Sequence, residues 1–290
     1  MHICIVIDRP RYKTLPLISE LMQGLSVRHR VTLLDLQAHE QGAGEMPPPQ
    51  ADLYLLKSHG PLTLKFAYQL EQRGALVINS WAATLACQDR VIMTQLMKRA
   101  GLPWPQTRSC SYLGNLAADA QSLATLSFPL IIKSRNSDDD ELIAKVSNVE
   151  QLQKLALEWP LEAVILQEWM SGDGWDTKVW VIDGHVFAAK QRSPLENQPK
   201  DQFQLLPEQI DERIREIALE TGRVFGLTVY GVDFTTTGQG PVAVDVNAFP
   251  GMRNLVGPDK ELIALADRLE QSITVRPRPQ QQLETAYYYL

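Results

Sequence analysis

The chain has few cysteines, no long apolar run and no surplus of positive charge, and each shortage removes a class of function. Cys4, Cys87 and Cys110 are the only three thiols in 290 residues. Their odd number and wide spacing support neither a disulfide framework nor a metal-spaced pair, so a reducing, cytoplasmic setting is expected. No stretch reaches the ~18 consecutive apolar residues that would span a bilayer, and no membrane partner is expected. The opening residues, Met1-His-Ile-Cys-Ile-Val-Ile-Asp8, read as a strand without a basic leader or cleavage site, so no signal peptide is expected. Asp and Glu (34) outnumber Lys and Arg (28), for a net charge of −6. The basic residues are scattered, which argues against a nucleic-acid partner. Simple phosphate loops are missing too. There is no Gly-rich loop ending in Gly-Lys-Ser/Thr and no Gly-x-Gly-x-x-Gly after the first strand, so any nucleotide must be held by separated side chains.

What is present is an alternation of apolar runs and helix-period segments. Residues 3–7, 31–36, 53–57 and 75–79 read as short strands, with helices over 15–25 and 62–73. Strands alternating with helices predict a parallel sheet, hence a small doubly wound α/β domain over residues 1–88. The Gly- and Pro-rich segment 41–50 is expected to be a loop. Helices are expected over 88–100, 113–126, 149–158, 207–225 and 259–272. Strands are expected over 128–133, 142–146, 164–168, 178–182, 185–190, 229–235 and 242–246. Asp183-Gly184 is the tight-turn dipeptide of a hairpin. Residues 275–290 read as a tail.

Oxygen-bearing side chains gather late in the chain. Val242-Ala-Val-Asp245-Val-Asn247-Ala-Phe-Pro-Gly251 is strand-like and ends in a Pro-Gly turn, and Tyr230-Gly-Val-Asp233-Phe precedes it. Side chains alternate along a strand, so Asp245 and Asn247 are expected on one face and Val242, Val244 and Val246 on the other. With Asp233 from a neighbouring strand they suit Mg²⁺, which takes hard oxygen ligands. The same residues also suit the cap of a strand before a turn. Lys133 and Lys190 end apolar strands, and each either meets phosphate as a point charge or stands solvated. Gln167-Glu168-Trp169-Met170 leaves a buried-looking strand, where main chain can bond an adenine edge between apolar walls; a core aromatic at a domain seam has the same pattern. Asp176 and Lys178 share a face, placed for a ribose, a phosphate or a substrate, or for a surface ion pair.

Taken in order, Lys133, Gln167-Glu168, Asp176-x-Lys178, Lys190-x-Arg192, Asp233 and Asp245-x-Asn247-x-x-Pro-Gly resemble the ATP-grasp enzymes over residues 1–272. The resemblance implies an α/β N-terminal domain followed by an α+β ATP-grasp fold, two subdomains clamping a nucleotide. It implies a central subdomain with a lid over 89–170, a C-terminal subdomain with a metal site over 171–274, and a tail over 275–290. Two branches fit. Gly74-Ala-Leu-Val-Ile-Asn-Ser, Cys87-Gln-Asp-Arg90 and Gly101-Leu-Pro-Trp-Pro resemble the RimK-type ligases, which join an amino acid to a carboxylate. Phe128-Pro-Leu-Ile-Ile-Lys-Ser-Arg135 and Lys178-Val-Trp-Val-Ile-Asp-Gly184 look like the inositol tris/tetrakisphosphate kinases. The roles implied are Mg²⁺ (or Mn²⁺) at Asp233, Asp245 and Asn247, and ATP at Lys133, Arg90, Asp176 and Lys178. Residues Gln167, Glu168, Trp169 and Met170 would hold adenine, Lys190 and Arg192 would face the transferred phosphate, and Lys57, Lys178 and Arg253 would meet the substrate.

The leading expectation is an ATP- and Mg²⁺-dependent carboxylate–amine ligase acting through an acyl phosphate, on a small-molecule or peptide carboxylate and an amine. A polyol phosphate kinase and a non-catalytic ATP-binding module are the alternatives. The motive for the last is a departure from the ligases: the turn after Lys133 reads Arg135-Asn-Ser-Asp138-Asp139-Asp140-Glu141, without the glycine that lets backbone N–H groups approach phosphate. The acidic turn is expected to be exposed and solvated.

Overall fold

Four short apolar runs at the start of the chain form a sheet whose two central strands are buried on both faces. A computed structural model describes residues 1–41, 49–137, 141–193 and 202–275. Its first segment runs β1 (His2–Ile7), α1 (Pro16–Leu25), β2 (Arg30–Asp35), α2 (Leu36–Gln41), β3 (Leu53–Leu56), α3 (Pro61–Gln72) and β4 (Leu76–Ile78). The four strands are all parallel, in the order β2-β1-β3-β4, as the alternation of strand and helix predicts.

The second segment runs α4 (Trp81–Gln88), α5 (Arg90–Arg99), β5 (Thr107–Cys110), α6 (Leu113–Ala118), α7 (Ala120–Ala124), β6 (Leu130–Ser134), β7 (Ile143–Val146), α8 (Val149–Glu158) and β8 (Val164–Glu168). Its strands form an antiparallel sheet in the order β5-β8-β6-β7. The third runs β9 (Trp175–Ile182), β10 (His185–Arg192), β11 (Gln202–Leu205), α9 (Glu212–Phe225), β12 (Val229–Thr237), β13 (Gly240–Ala248) and α10 (Pro258–Val275). This sheet is antiparallel in the order β11-β10-β9-β12-β13.

Aspartates set where three helices start, and α4 precedes the first of them where no helix was expected. Asp89 accepts from the N–H groups of Val91 and Ile92 and starts α5 afresh after α4. Asp119 does the same for α7 with Gln121 and Ser122, and Asp211 starts α9 by accepting from Arg213, after a 3-10 turn at Pro207–Gln209. A side-chain oxygen at an N-cap satisfies an orphan donor of the first turn. Two strands, β5 and β11, lie where none was expected. Both are sheet edges, and neither carries an apolar run.

The first and third sheets share a core. Ile3, Ile5, Leu53 and Leu55 pack with Trp180, Ile182 and Val229 and with Leu262, Leu265 and Ala266 of α10. Helix α1 lies so close to α10 that a Cβ on Gly24 would stand 2.2 Å from Ile263 Cδ1. Asn79 adds a polar splice: its side chain accepts from Thr228 and Val229 N–H and donates to the Val229 carbonyl. The other face of the first sheet is closed by Phe66, Ala67 and Leu70 of α3. All three cysteines are unbridged, and burial pushes the Cys4 thiol up to about 12. No helix among the described residues is long and apolar enough to cross a membrane.

Candidate active site

Cross-strand register sets the acids in a row. Lys178 on β9 lies opposite Asp233 on β12, and Asp233 lies opposite Asp245 on β13. Residues directly opposite in an antiparallel pair share a face, and Lys178 Nζ stands 3.4 Å from Asp233 Oδ2. Asn247, two residues beyond Asp245, lies opposite Gly231 on the same face. Asp233 Oδ1 is buried with no hydrogen-bond partner in the structure. A carboxylate oxygen left bare beside a second carboxylate and a carboxamide is a donor set for a hard cation. A second acid cluster is differently disposed: around His29, the carboxylates of Asp267 and Glu270 are already paired with Arg28 and the Met1 ammonium.

The row is followed by a bulge. Asp233 pairs with Asp245 but Phe234 pairs with Ala243, which leaves Val244 as an extra residue. A bulge reverses the alternation of the strand before it. Val242, Val244 and Val246 therefore do not share a face, contrary to the reading from alternation; Ala243 and Val246 enter the core with Phe234. The displaced Val244 carbonyl accepts from Lys133 Nζ at 2.7 Å, and the same ammonium lies 4.0 Å from Asp245 Oδ2.

Lys133 comes from the second sheet, whose two faces differ. Leu130, Ile132, Val164 and Leu166 enter a core with α6 and α8. The opposite face carries Lys133, and a cross-strand row of Thr107, Gln167, Ile131 and Lys145. Gln167 Nε2 is buried on this face without a partner in the structure. Lys145, which no motif singled out, places its ammonium 3.7 Å from the Trp169 ring centroid. Glu168 is exposed and its N–H is committed to the Gln106 carbonyl. Trp169 and Met170, both half-buried, follow it as the chain leaves the strand.

Arg90, expected at ATP phosphates, directs its donors elsewhere. Its side chain is 1 % exposed. Nη1 and Nη2 donate to the two Glu141 oxygens at 2.5 and 3.1 Å, Nη2 donates to Asp245 Oδ2 at 3.0 Å, and Nη1 to the Ser134 carbonyl at 3.0 Å. Glu141 is thus turned inward against Arg90 rather than solvated; Asp138, Asp139 and Asp140 lie outside the described residues, as do 194–201 and the tail beyond 275. Burial opposes ionisation of Asp245, but Arg90 and Lys133 outweigh it and hold the carboxyl below its ordinary range. For Asp233 burial wins over Lys178, and the carboxyl is raised. Burial lowers the Lys133 ammonium against the pull of Asp245. Asp176, which accepts from Thr235 Oγ1 at 2.9 Å, is raised by burial.

Asp89 fixes the base of the same turn. Besides capping α5 it accepts from Arg135 Nη2 at 2.7 Å and Nε at 3.0 Å. Burial opposes its ionisation, but Arg135 and the cap N–H groups prevail and the carboxyl is lowered. A lowered folded-state pKa contributes stability above the unfolded value of ~3.9 and loses it as pH falls through the folded value. Asp89→Asn keeps a good cap and removes the ion pair. It is expected to lower stability at pH 7 by about 1 kcal/mol, because Arg135 is half exposed. Urea titrations should find that gap closing below about pH 4; a gap independent of pH would rule the pair out.

Lys190 and Arg192 depart furthest from expectation. In the β9–β10 hairpin Asp176 lies opposite Gln191, Lys178 opposite Ala189, and Thr177 opposite Lys190. The acid row's face therefore carries Gln191. Lys190 and Arg192 sit at alternate positions, on the face of Thr177 and of core residues Val179 and Ala188. The Arg192 guanidinium stacks 4.0 Å over Trp175, which meets Phe203 edge-on. The alternation places Lys190 and Arg192 on the face opposite the acid row, whereas Gln191 shares the face of Lys178 and Asp233.

Beyond Asn247 the chain turns sharply, with Phe249 at φ 46° and Asn254 at φ 61°. Trp180 Nε1 holds the turn by donating to the Gly251 carbonyl at 2.8 Å. Here a cavity of about 580 Å³ opens, lined by Lys57, Lys178, Gln191 and Arg253, with Glu20 of α1 and Trp180. Lys57 is buried, donates to the Phe249 carbonyl at 2.9 Å and lies 5.1 Å from the Tyr12 ring centroid. Lys57, Lys178 and Arg253, expected at the substrate, are thus brought to one cavity; Gln191 and Glu20 join them unforeseen.

The chain is similar to several known proteins. A probable alpha-L-glutamate ligase of Thioalkalivibrio sulfidiphilus is 26% identical over 197 residues, 64% of each chain. The alpha-aminoadipate–LysW ligase LysX of Saccharolobus solfataricus is 24% identical over 201 residues, 66% of this chain and 72% of that one. The chain thus spans just under two thirds of the first relative's length. Among solved structures, a RimK domain ATP-grasp protein from Sphaerobacter thermophilus superposes with a TM-score of 0.70 at 18% identity, covering 91% of this chain and 97% of that one. A D-alanine–D-alanine ligase from Bacillus anthracis, complexed with ATP, gives a TM-score of 0.71 at 18% identity, covering 95% and 98%. The expected ATP-grasp fold is therefore the fold observed, and the local likeness to inositol phosphate kinases has no counterpart in these relatives. The RimK-like ATP-grasp domain family matches residues 87–269, and the chain belongs to that family.

Proposed function

We propose that the protein is an ATP-dependent carboxylate–amine ligase whose nucleotide lies between the second and third sheets. The observation that carries this reading is the double position of Lys178, paired with Asp233 in the acid row and lining the cavity of Lys57 and Arg253. One lysine thus joins a phosphate-and-metal site to an acceptor pocket. Asp233, Asp245 and Asn247 would hold Mg²⁺, which when bound neutralises the β- and γ-phosphoryl oxygens. Lys133 reaches the same point from the opposite sheet, and Gln167, Trp169 and Met170 line the adenine end. Lys57 and Arg253 attract and orient the acceptor carboxylate.

In the reaction the acceptor carboxylate oxygen attacks the γ-phosphorus and ADP leaves, giving an acyl phosphate. The amine then adds to the acyl carbon, loses a proton, and inorganic phosphate departs with one oxygen of the original carboxylate. Phosphoryl transfer of this kind depends on positioning and charge stabilisation. The walls of the cleft must exclude water, since an acyl phosphate hydrolyses. L-Glutamate, named in the ligases of the glutamate group, is the first amine to try, and a reducing cytoplasm suits the unbridged thiols.

ADP release that requires a carboxylate and an amine together would support this reading; ADP release with a polyol phosphate alone would replace it by a kinase. The sidedness of β10 supplies a finer check. Gln191→Ala should raise the acceptor KM about tenfold, the cost of one buried hydrogen bond. Arg192→Ala should change it less than about twofold. The reverse order in steady-state kinetics would reject the assignment of faces.

A further inference from the structure

We propose that Glu141 is a positioning residue for the cation site, one that holds Arg90 through both carboxylate oxygens and so sets the affinity of Asp233, Asp245 and Asn247 for a divalent cation. The inference rests on reading those three residues as metal ligands. Glu141 is not one of them. It lies across Arg90 from Asp245, and its two oxygens take one N–H from each terminal nitrogen of the guanidinium. One further N–H reaches Asp245 Oδ2. Bidentate pairing of this kind fixes a guanidinium in place as a lone contact does not.

Charge makes the consequence. Around Asp245 stand three cations, Arg90, Lys133 and Lys178, and three further carboxylates, Asp233, Asp176 and Glu141. With every member ionised the group carries one excess negative charge before a metal enters. Without Glu141 that excess is gone, and the guanidinium has Asp245 as its remaining carboxylate. Both effects oppose a divalent cation. Arg90 is 1 % exposed and Glu141 is partly covered, so water screens little of this. The turn that ends in Glu141 has no glycine to bring backbone N–H groups to a phosphate. What it brings to the site is a carboxylate.

The test is a Mn²⁺ titration of the full chain followed by electron paramagnetic resonance, without nucleotide and again with ADP. Glu141→Gln keeps the shape and removes the charge, and is expected to weaken Mn²⁺ binding about tenfold or more, the scale of one unit charge within several ångströms in a partly buried site. Glu141→Asp keeps the charge and should stay within about threefold of the parent. Asp245→Asn should abolish binding. If Asp245→Asn abolishes binding while Glu141→Gln stays within about twofold of the parent, the role of Glu141 is overturned and the metal site stands. If Asp245→Asn leaves binding intact, the metal-site reading fails, and this inference with it. Should Glu141→Gln not fold, Glu141→Asp decides alone, and a loss of more than about tenfold would contradict the charge account.

Discussion

Asp245→Asn is expected to abolish the Mg²⁺-dependent part of the stabilisation that ATP gives the protein. Ligand that binds only the folded state adds about 2.7 kcal/mol at a hundredfold excess over Kd, which for a chain of this size corresponds to a rise in Tm of several degrees. A cation held at the acid row would supply that gain, and Asp245 is the one carboxylate of the row that Arg90 and Lys133 hold below its ordinary range. Asp233, by contrast, is raised by burial. Loss of the Asp245 charge therefore removes the ligand best prepared to receive the metal. Glu141 keeps Arg90 paired in the variant, so the protein without ligand should remain folded. Thermal shifts with ATP, with and without Mg²⁺, read the result, and an undiminished Mg²⁺-dependent shift would sink the metal assignment.

Arg90→Ala is expected to be the most destabilising single change at the site, at about 3–5 kcal/mol. Truncation leaves Glu141 and Asp245 as neighbouring carboxylates without their shared cation, and leaves the Ser134 carbonyl without its donor. The side chain is also among the largest fully buried ones, so a cavity is added. Arg90→Lys should recover part of this: a single ammonium restores charge but not the two-pronged contact with Glu141. Urea unfolding at neutral pH measures both. A loss under about 1 kcal/mol for Arg90→Ala would mean that the two carboxylates find other partners, and that Arg90 is not what holds them.

How much of this was legible in the sequence depends on whether the signal was local. The parallel first sheet follows from strands alternating with helices, and Asp183-Gly184 named its turn correctly, with both residues at positive φ, 48° and 84°. That turn also contained the register. A two-residue turn sets Ile182 opposite His185, hence Lys178 opposite Ala189 and Asp176 opposite Gln191. The same turn sets Lys190 and Arg192 on the face away from Lys178, which motif spacing alone does not show. The row of Lys178, Asp233 and Asp245 was different, since nothing in numbers so far apart fixes how three strands align. The bulge at Val244 was equally hidden, an insertion visible only against its partner strand. Strands β5 (Thr-Arg-Ser-Cys) and β11 (Gln-Phe-Gln-Leu) are four residues each and offer little apolar alternation to read. In the sequence Arg90 stands in the Cys87-Gln-Asp-Arg90 motif and Glu141 in an acidic turn, with nothing to link them. Their pairing across fifty-one residues is a tertiary fact.

The most direct measurement of the ligase assignment follows oxygen. The protein is supplied with Mg²⁺-ATP, an amino acid as the amine, and carboxylate acceptors labelled with ¹⁸O in both carboxyl oxygens, and the phosphate and the condensed product are weighed by mass spectrometry. Reaction through an acyl phosphate predicts one ¹⁸O in each inorganic phosphate released and one retained in each amide formed. Unlabelled phosphate, or ADP formed alongside a phosphorylated alcohol with no amide, would contradict it.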